Sequence, residues 1–374
     1  MWSGAAAALA GLTLLAAMAG TRGEAGAADR LALRLPAGFH LSVFAEGLGA
    51  PRFMTLDPAG AVLLSIPAQG RVVALPDRDG DGRADATVTV AEKLDRPHGL
   101  AFHGGKLYVA ETGRVVRFDY DPAARRATGP AVVVPDLPPG GGHWTRTVVF
   151  GRDGHMYVSV GSTCNVCREQ DPRRAAVVRY DADGRNGGLF ATGLRNAVGL
   201  AVHPGTGALW ATVNERDWRG DDVPPDYVTE VKAGGHHGWP ECYSAQGRAH
   251  ADREFARADC GRVTVPSVEI QAHSAPIGLA FYTGQQFPAE YRGDLFVVYR
   301  GSWNRSVPTG YKVVRVRFRD GRPTGAVEDF ATGWLSGGAV LGRPVDVLVA
   351  PDGALLVSDQ SAGTIYRISY RATG

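Results

Sequence analysis

The sequence predicts an all-β protein, a six-bladed β-propeller, and three observations support this prediction. A unit of alternating strands and short glycine-containing turns recurs six times along the chain. Its turns contain D-G and P-x-G sequences, which are typical of β-hairpins, and no long helical period competes with them. Gly and Pro number 50 and 23, as expected where turns join many short strands. Four-stranded units arranged radially form a propeller, which leaves no long open sheet edge.

The apolar residues of each unit locate its first strand. Successive units are about 45 to about 80 residues apart, which equals or exceeds the usual blade length. The excess falls in loops after the fourth and fifth units, and function usually lies in such loops. A stack of β-sandwiches is the alternative, but the even recurrence and the Arg-containing closing strands favour the propeller. The six units begin at Met54, Gly99, Thr147, Val198, Ile277 and Pro344.

The N-terminal stretch MWSGAAAALAGLTLLAAMAG is an apolar run of small residues. It ends in A-x-A-like sites, so we expect a signal peptide over residues 1–27, with cleavage after Ala19 or Ala27. The propeller domain is then expected over residues 28–374. A membrane anchor is the alternative, but no other apolar run approaches about 18 residues. We therefore expect a periplasmic or secreted protein without stable membrane insertion.

The chain has four cysteines, Cys164, Cys167, Cys242 and Cys260. Haem attachment would require a His after the CNVC sequence, but Arg168 stands there. An even number of cysteines in an exported protein favours disulfides, and we expect the pairs 164–167 and 242–260. A zinc site with four thiolate ligands is the alternative.

The overall charge gives little indication of a nucleic-acid partner. The formal net charge is +2, and no run of Lys or Arg forms a basic stripe. We therefore expect no nucleic-acid binding.

Several residues of distinctive chemistry directly precede first strands, where a propeller gathers them at one end of its channel. Arginine binds carboxylates through two hydrogen bonds and stacks on π-systems, so such a cluster indicates a planar ligand with several carboxylates. Pairing of each arginine with an acidic side chain between blades is the alternative. The residues are Arg52, His98, His143, Arg195, Asn196 and Arg343.

His143 is the candidate base, because imidazole accepts protons near neutral pH. It follows a run of glycines, which lets the backbone approach a ligand closely. A structural role for this histidine is the alternative. Trp144 and Trp303 are candidates for stacking on cofactor or substrate, or for packing between blades. We interpret His236 and His237 as loop packing or substrate rim.

The sequence DRDGDGRAD, from Asp77 to Asp85, is a candidate metal loop. Asp77, Asp79 and Asp81 alternate before a glycine, as in the first half of an EF-hand loop. The twelfth position holds Val88 rather than Glu. A weak Ca²⁺ site and a solvated acidic turn are both compatible with this pattern.

Over residues 35–370 the chain resembles the soluble pyrroloquinoline quinone (PQQ)-dependent sugar dehydrogenases. The resemblance is to the glucose/sorbosone dehydrogenase-like branch, which includes sorbosone and pyranose dehydrogenases. The motifs that carry it are GGHWTRTVVFGRDG, GSTCNVC, GLRNAVGL, VNERD, GGHHGWPECY, GSWNRSVPTGYKVVRV and GRPVDVLVAPDG.

The resemblance implies a six-bladed propeller that binds PQQ over the channel beside a Ca²⁺ ion. His143 matches the general base of the family, and Arg195 matches an arginine that contacts quinone and substrate. Ca²⁺ ligands are expected from the loop that holds Glu215, Arg216 and Asp217. The residues expected to bind the cofactor are Arg52, His98, Asn196, Arg300, Trp303, Asn304, Arg305 and Arg343.

The sequence departs from the family at three positions. Val345 stands where glucose enzymes carry a second arginine, and Gly142 where they carry an Asp before the base. Arg300 stands where sorbosone-type relatives often have His.

The resemblance implies oxidation of a sugar or sugar aldehyde by hydride transfer to PQQ. Electrons would then pass to a separate acceptor, a cytochrome or the quinone pool. Two other functions remain open: a Ca²⁺-dependent lactonase or other propeller hydrolase, and a non-catalytic carbohydrate-binding propeller.

Overall fold

The computed structural model describes residues 32–372, and these residues form a six-bladed β-propeller. This confirms the predicted fold class, and each predicted first strand begins within one residue of its observed start. The described residues contain no α-helix, and so no helix there could cross a membrane. Three short 3-10 turns lie at Pro67–Gln69, Arg253–Phe255 and Ala289–Tyr291. The predicted signal peptide, residues 1–27, lies outside the described residues.

The strands are numbered in chain order, beginning with β1 (Phe39–Ala45), which belongs to the last blade. Blade 1 contains β2 (Met54–Leu56), β3 (Val62–Ile66), β4 (Arg71–Leu75) and β5 (Val88–Ala91). Blade 2 contains β6 (Leu100–His103), β7 (Lys106–Ala110), β8 (Val115–Asp121) and β9 (Arg126–Val134). Blade 3 contains β10 (Arg146–Phe150), β11 (Met156–Val160), β12 (Ala176–Tyr180) and β13 (Gly188–Thr192).

The remaining strands complete the ring. Blade 4 contains β14 (Ala197–Val202), β15 (Leu209–Val213), β16 (Asp226–Val231) and, after an insertion, β20 (Val268–Ile270). The insertion contains β17 (Gly235–His236), β18 (Cys242–Ala245) and β19 (Arg248–Ala251). Blade 5 contains β21 (Pro276–Phe281), β22 (Leu295–Tyr299), β23 (Lys312–Arg319) and β24 (Arg322–Ala331). A small hairpin of β25 (Leu335–Ser336) and β26 (Ala339–Val340) precedes blade 6, which contains β27 (Pro344–Val349), β28 (Leu355–Asp359) and β29 (Thr364–Tyr370).

The ring is closed by β1, the first strand of the described residues. β1 pairs antiparallel with β29, with Phe39 opposite Tyr370 and Val43 opposite Tyr366. The Phe39 ring also lies edge-on against Phe287 of blade 5, with centroids 4.7 Å apart. The first and last strands of the described residues thereby pair in blade 6 and close the ring.

The core lies between the blades rather than inside any one of them. All five residues of the second strands β3, β11, β15, β22 and β28 are buried. Strands that are covered on both faces become continuous apolar runs, whereas the outer strand β9 alternates and is largely exposed. The strand unit that recurs in the sequence therefore corresponds to one blade, and the blades pack face to face.

The direction of the strands determines which loops lie together at each end of the channel. We call the end where the first strands of the blades begin the mouth. The first strands of neighbouring blades contact one another around the channel. Each starts at the mouth and runs away from it, so the antiparallel partner returns there. The links between blades and the loops joining second to third strands therefore lie at the mouth. The three longest loops that join second to third strands are residues 161–175, 214–225 and 300–311.

Both predicted disulfides are present, and they use all four cysteines. Cys164 is bonded to Cys167 in the mouth loop of blade 3, and Cys242 to Cys260 in the insertion. The alternative of a four-thiolate zinc site is therefore wrong, because no free cysteine remains.

Candidate active site

Arginines from three blades meet at the mouth. Arg52 precedes β2, Arg300 follows β22, and Arg343 precedes β27. The Gln360 side chain joins the first two: its Oε1 accepts from Arg52 Nη1 at 3.1 Å and from Arg300 Nη2 at 3.2 Å. We call Arg52, Arg300 and Arg343 the arginine cluster.

The arginine cluster carries positive charge, and within it only Arg52 is influenced by a nearby carboxylate, that of Asp346. Among the ion pairs of the described residues, none involves any of its three members. Burial and then repulsion by Arg300 lower the pKa of Arg52 to about 9. Burial and then repulsion by Arg343 also lower the pKa of Arg300. Because an uncompensated buried charge is costly, the cluster is suited to bind an anion.

His98 lies beneath the arginine cluster and is fully buried. Its Nε2 is 3.1 Å from Arg52 Nη2, and its Nδ1 is 3.3 Å from the carbonyl of Arg146. A neutral ring that donates from Nδ1 accepts from Arg52 at Nε2, and burial holds its pKa well below the usual range. Sequence analysis predicted cofactor contact for His98, but this position supports Arg52 and is closed to a ligand.

Trp144 connects the arginine cluster to the candidate base. The guanidinium carbons of Arg52 and Arg96 lie 5.6 Å and 4.1 Å from its ring centroid. The His98 ring meets its edge at 5.6 Å. Since Trp144 follows His143 directly, these contacts place the histidine beside the cluster.

The imidazole of His143 is held in one orientation. Its Nδ1 lies 3.0 Å from the Ser162 carbonyl and 2.9 Å from Ser162 Oγ. The Ser162 hydroxyl donates to the Cys164 carbonyl, so its oxygen is left to accept. Nδ1 therefore carries the proton, and Nε2 has a free lone pair. Burial and then Arg195 lower the pKa of His143 to about 3, so the ring is a neutral base.

Gly161 allows His143 and Asn196 to pack together. A Cβ at this glycine would lie 2.6 Å from Asn196 Oδ1 and 2.6 Å from His143 Cβ. No larger residue fits there without displacing one of them. The Asn196 Oδ1 atom is buried without a hydrogen-bond partner, so it can accept from a ligand.

Arg195 is 4% exposed, and its hydrogen-bonding capacity is already used. Its Nε and Nη2 donate to Asn165 at 3.1 Å and 2.9 Å, and Nη2 also to Asp217 at 3.1 Å. Its Nη1 donates to the carbonyls of Asn214 and Glu215. A guanidinium has five N–H donors, and all five have protein acceptors. Arg195 therefore has no free N–H donor for the predicted direct contact with a quinone.

The loop with the predicted metal ligands lies against Arg195. Glu215 is buried, its Oε1 has no partner, and burial raises its pKa to about 7. A buried carboxylate oxygen without a partner suits a cation, and oxygen donors suit Ca²⁺. The Arg216 side chain turns away, with its Nη1 2.7 Å from both carboxylate oxygens of Asp252. Only its backbone is therefore available to a metal.

Three predicted cofactor residues follow Arg300 in the mouth loop of blade 5. Arg305 donates to the Asp221 carbonyl and, at 2.9 Å, to Asp222, so it joins this loop to that of blade 4. Asn304 has a buried Nδ2 without a partner. Trp303 is 66% exposed and meets Trp218 edge-on at 5.1 Å. These side chains form the rim of the mouth.

The candidate metal loop of blade 1 lies at the opposite end of the channel. It joins β4 to β5, third to fourth strand, on the side away from the mouth. Carboxylate oxygens of Asp77, Asp79 and Asp81 lie within 4.8 Å of one another. Asp77 also accepts from its own loop, at the amides of Gly80 and Gly82. Ca²⁺ binding here stays a prediction and is separate from the mouth.

His236 and His237 pack within the insertion. The His237 ring is 2% exposed and stacks on Tyr227 with centroids 6.2 Å apart. His236 Nδ1 lies 2.9 Å from Thr192 Oγ1. This arrangement matches the interpretation as loop packing.

Sequence analysis missed several residues of the site, among them Ser162, Asn165, Trp218 and Gln360. All four lie in loops that join second to third strands. Their sequences have no catalytic signature. The strand order alone would have pointed to them, since it brings every such loop to the mouth.

The fold and the mouth together define a class: a six-bladed propeller with a ligand site built by loops from several blades. The TrAA12-like family model matches residues 33–371. The chain belongs to this family, which consists of PQQ-dependent oxidoreductases. The family resemblance predicted from the sequence motifs is thereby confirmed.

Several known proteins are similar to the chain. A pyrroloquinoline quinone-dependent pyranose dehydrogenase of Coprinopsis cinerea is 26% identical over 91% of this chain, which spans 55% of that protein's length. An uncharacterized protein of Borreliella burgdorferi is 28% identical, with coverage of 90% of this chain and 91% of its own. The holo form of the PQQ domain of the Coprinopsis pyranose dehydrogenase has a TM-score of 0.79 at 25% identity, covering 91% of this chain and 97% of that one.

Proposed function

We propose that the protein uses PQQ to oxidise a sugar or sugar aldehyde at the mouth of the propeller. One observation carries the proposal: an arginine cluster without acidic partners lies beside a histidine whose Nε2 is free. The first suits a polycarboxylate cofactor, and the second suits removal of a hydroxyl proton. The PQQ-dependent enzymes among the similar proteins support the same conclusion.

The residues at the mouth fit PQQ as its binding site. Arg52, Arg300 and Arg343 would hold its carboxylates, since none of them forms an ion pair with a carboxylate of the described residues. Asn196 and Asn304 each offer a buried polar atom that lacks a partner. His98 and Gln360 would support the arginines. When bound, PQQ supplies the acceptor for the two electrons and the hydrogen that leave the substrate carbon.

His143 supplies the base for the reaction. The substrate hydroxyl gives its proton to Nε2 while the carbon loses a hydride, so a C–OH group becomes a carbonyl. Ser162 then stabilises the imidazolium through Nδ1. The pKa of His143 is low partly because of Arg195, and an anion on the arginine cluster offsets that positive field. Cofactor binding therefore makes the histidine a stronger base.

A Ca²⁺ ion is proposed at the loop of residues 214–217. The Glu215 carboxylate and the backbone carbonyls of Arg216 and Asp217 would hold it. Arg195 fixes this loop from the other side by donating to the carbonyls of Asn214 and Glu215. We therefore propose that Arg195 acts by positioning the loop and through its charge.

The exposed pair Trp218 and Trp303 is proposed to contact the sugar. The apolar C–H face of a sugar ring packs well on an indole, and flanking polar groups such as Asp221 can bind its hydroxyls. With 62% and 66% exposure, the two indoles present on the order of 300 Å². This is enough for one or two sugar rings but well below the roughly 800 Å² of a protein partner.

The protein is proposed to work outside the cytoplasm and to pass its electrons to a separate acceptor. Two disulfides are typical of proteins in oxidising compartments. The predicted sites, periplasmic space or secretion, and the predicted acceptors, a cytochrome or the quinone pool, stay proposals.

Dye reduction by the purified protein tests the proposed function. PQQ and Ca²⁺ are added separately and together, with a panel of aldoses and sugar aldehydes. Dye reduction that requires PQQ and is lost in His143→Gln supports the proposal. Lactone hydrolysis without PQQ contradicts it in favour of the hydrolase, and sugar binding without either activity favours the binding protein.

A further inference from the structure

The four-residue disulfide loop Cys164–Cys167 lies in the mouth loop of blade 3 and encloses Asn165. The Asn165 side chain makes three hydrogen bonds, shared between Asp217 and Arg195. Its Oδ1 accepts from Arg195 Nη2 at 2.9 Å and from the Asp217 amide at 2.8 Å, and its Nδ2 donates to the Asp217 carbonyl at 3.1 Å. The Asn165 carbonyl accepts from Arg195 Nε at 3.1 Å and from Trp239 Nε1 at 3.0 Å. One side chain thus bridges blades 3 and 4.

The same loop determines the orientation of the base. The Ser162 hydroxyl donates to the Cys164 carbonyl at 2.7 Å, which turns its lone pairs toward His143 Nδ1. The Ser162 amide donates to the Arg195 carbonyl at 2.8 Å. Residues 162–165 therefore contact both the base and the arginine. We call His143, Ser162, Asn165, Arg195 and Asp217 the histidine network.

We propose that Asn165 is a positioning residue that aligns the base His143 with Arg195. The Cys164–Cys167 disulfide holds it in place by closing a loop too short to adopt other shapes. This role rests on the proposed function for its effect on the reaction. The alignment itself is a property of the protein without its cofactor.

The hydrogen-bond pattern distinguishes alignment from general stabilisation. The side-chain hydrogen bonds of Asn165 all go to Asp217, in the mouth loop of blade 4, or to Arg195. Asparagine suits the task because its amide offers an acceptor to two donors and a donor to one carbonyl. An aspartate of equal size keeps the acceptor and loses the donor. Substitution by Asp therefore removes only the donor of Asn165, whereas substitution by Ala removes both the donor and the acceptor.

Kinetics of the PQQ-loaded protein test the proposal through Asn165→Ala and Asn165→Asp. We expect Asn165→Ala to lower kcat by about tenfold to a hundredfold, as loss of supporting hydrogen bonds does elsewhere. The dissociation constant of PQQ should change by less than about threefold, since the arginine cluster is untouched. Asn165→Asp should retain more kcat than the alanine variant. Asn186→Ala is the matched control, because Asn186 makes one hydrogen bond, to Asp181, in a turn at the far end.

A second readout does not depend on activity. Nitrogen shifts of the His143 ring in the apoprotein report its tautomer, which should be Nδ1-protonated in the unmodified protein and mixed in Asn165→Ala. An alanine variant with kcat within twofold of the original and an unchanged tautomer overturns the proposal. If the unmodified protein oxidises no sugar, the proposed function fails, and the tautomer alone decides the role of Asn165.

A pair of double variants covers the case in which Asn165→Ala does not fold. Cys164→Ser with Cys167→Ser releases the loop, and Cys242→Ser with Cys260→Ser removes the distant disulfide as a control. The first should reproduce the loss of kcat and the mixed tautomer, while the second should show neither. Equal effects of the two double variants contradict the proposal.

Discussion

The two halves of the mouth differ in how completely their polar groups are paired. In the arginine cluster, charged side chains share a neutral glutamine and repel one another. In the histidine network every donor of Arg195 has an acceptor, and His143 keeps one nitrogen free. The first half is incomplete without an anion, whereas the second is complete and presents one reactive atom. In the proposed function, the arginine cluster therefore binds the cofactor, and the histidine network acts on the substrate.

The largest expected effect is on the reactive atom itself. His143→Gln removes the base but leaves the arginine cluster unchanged. We expect kcat to fall by about 10²- to 10⁴-fold, with little change in PQQ affinity. Stopped-flow reduction of bound PQQ and a separate PQQ titration measure the two quantities. His155→Gln, at a turn far from the mouth, is the control, and a similar loss of PQQ affinity and kcat in His143→Gln contradicts the division between the halves.

Stability without cofactor provides the sharpest test of the comparison. Arg195→Ala removes five hydrogen bonds, one of them to the partly buried carboxylate of Asp217, so we expect a loss of about 3 kcal/mol. Arg300→Ala removes a repelled charge and should be neutral or stabilising. Urea unfolding of both apoproteins measures the difference. Equal destabilisation by the two substitutions would show that the arginine cluster is paired in a way that the contacts do not reveal.

The fold was predictable because its signals are local. A strand period and a turn sequence specify each hairpin, and the first strand of every blade was located within one residue. His143 was found because it adjoins a strand. Asn165 and Gln360 were not, because their partners lie in other blades, such as Arg195 30 positions away and Arg52 308 positions away.

Arg195 shows a second limit of prediction from sequence. Its charge and its place before β14 were visible, but the occupancy of its donors was not. Five acceptors drawn from residues 165–217 saturate it, and only the folded loops bring them together. The sequence thus identifies charges at the mouth, while the structure shows which of them remain available to a ligand.

A smaller effect is expected when a member of the arginine cluster is removed from the cofactor-bound protein. Arg300→Ala should weaken PQQ binding by about tenfold to a hundredfold, as loss of a charge-assisted hydrogen bond does. At saturating PQQ, kcat should change little. Arg300→Lys keeps the charge but not the paired donors, so its affinity should be intermediate. Titration by tryptophan fluorescence gives the affinities, and unchanged binding in Arg300→Ala removes this residue from the cofactor site.

The smallest effect is the electrostatic coupling between the halves. Burial and then Arg195 lower the pKa of His143 to about 3 in the absence of cofactor, so its ring is neutral near pH 7. Negative charge bound at the arginine cluster favours the imidazolium, so PQQ should raise this pKa. An NMR titration of the His143 ring with and without PQQ measures the change. A pKa that stays at its apoprotein value would mean that the two halves, although joined through Trp144, act independently.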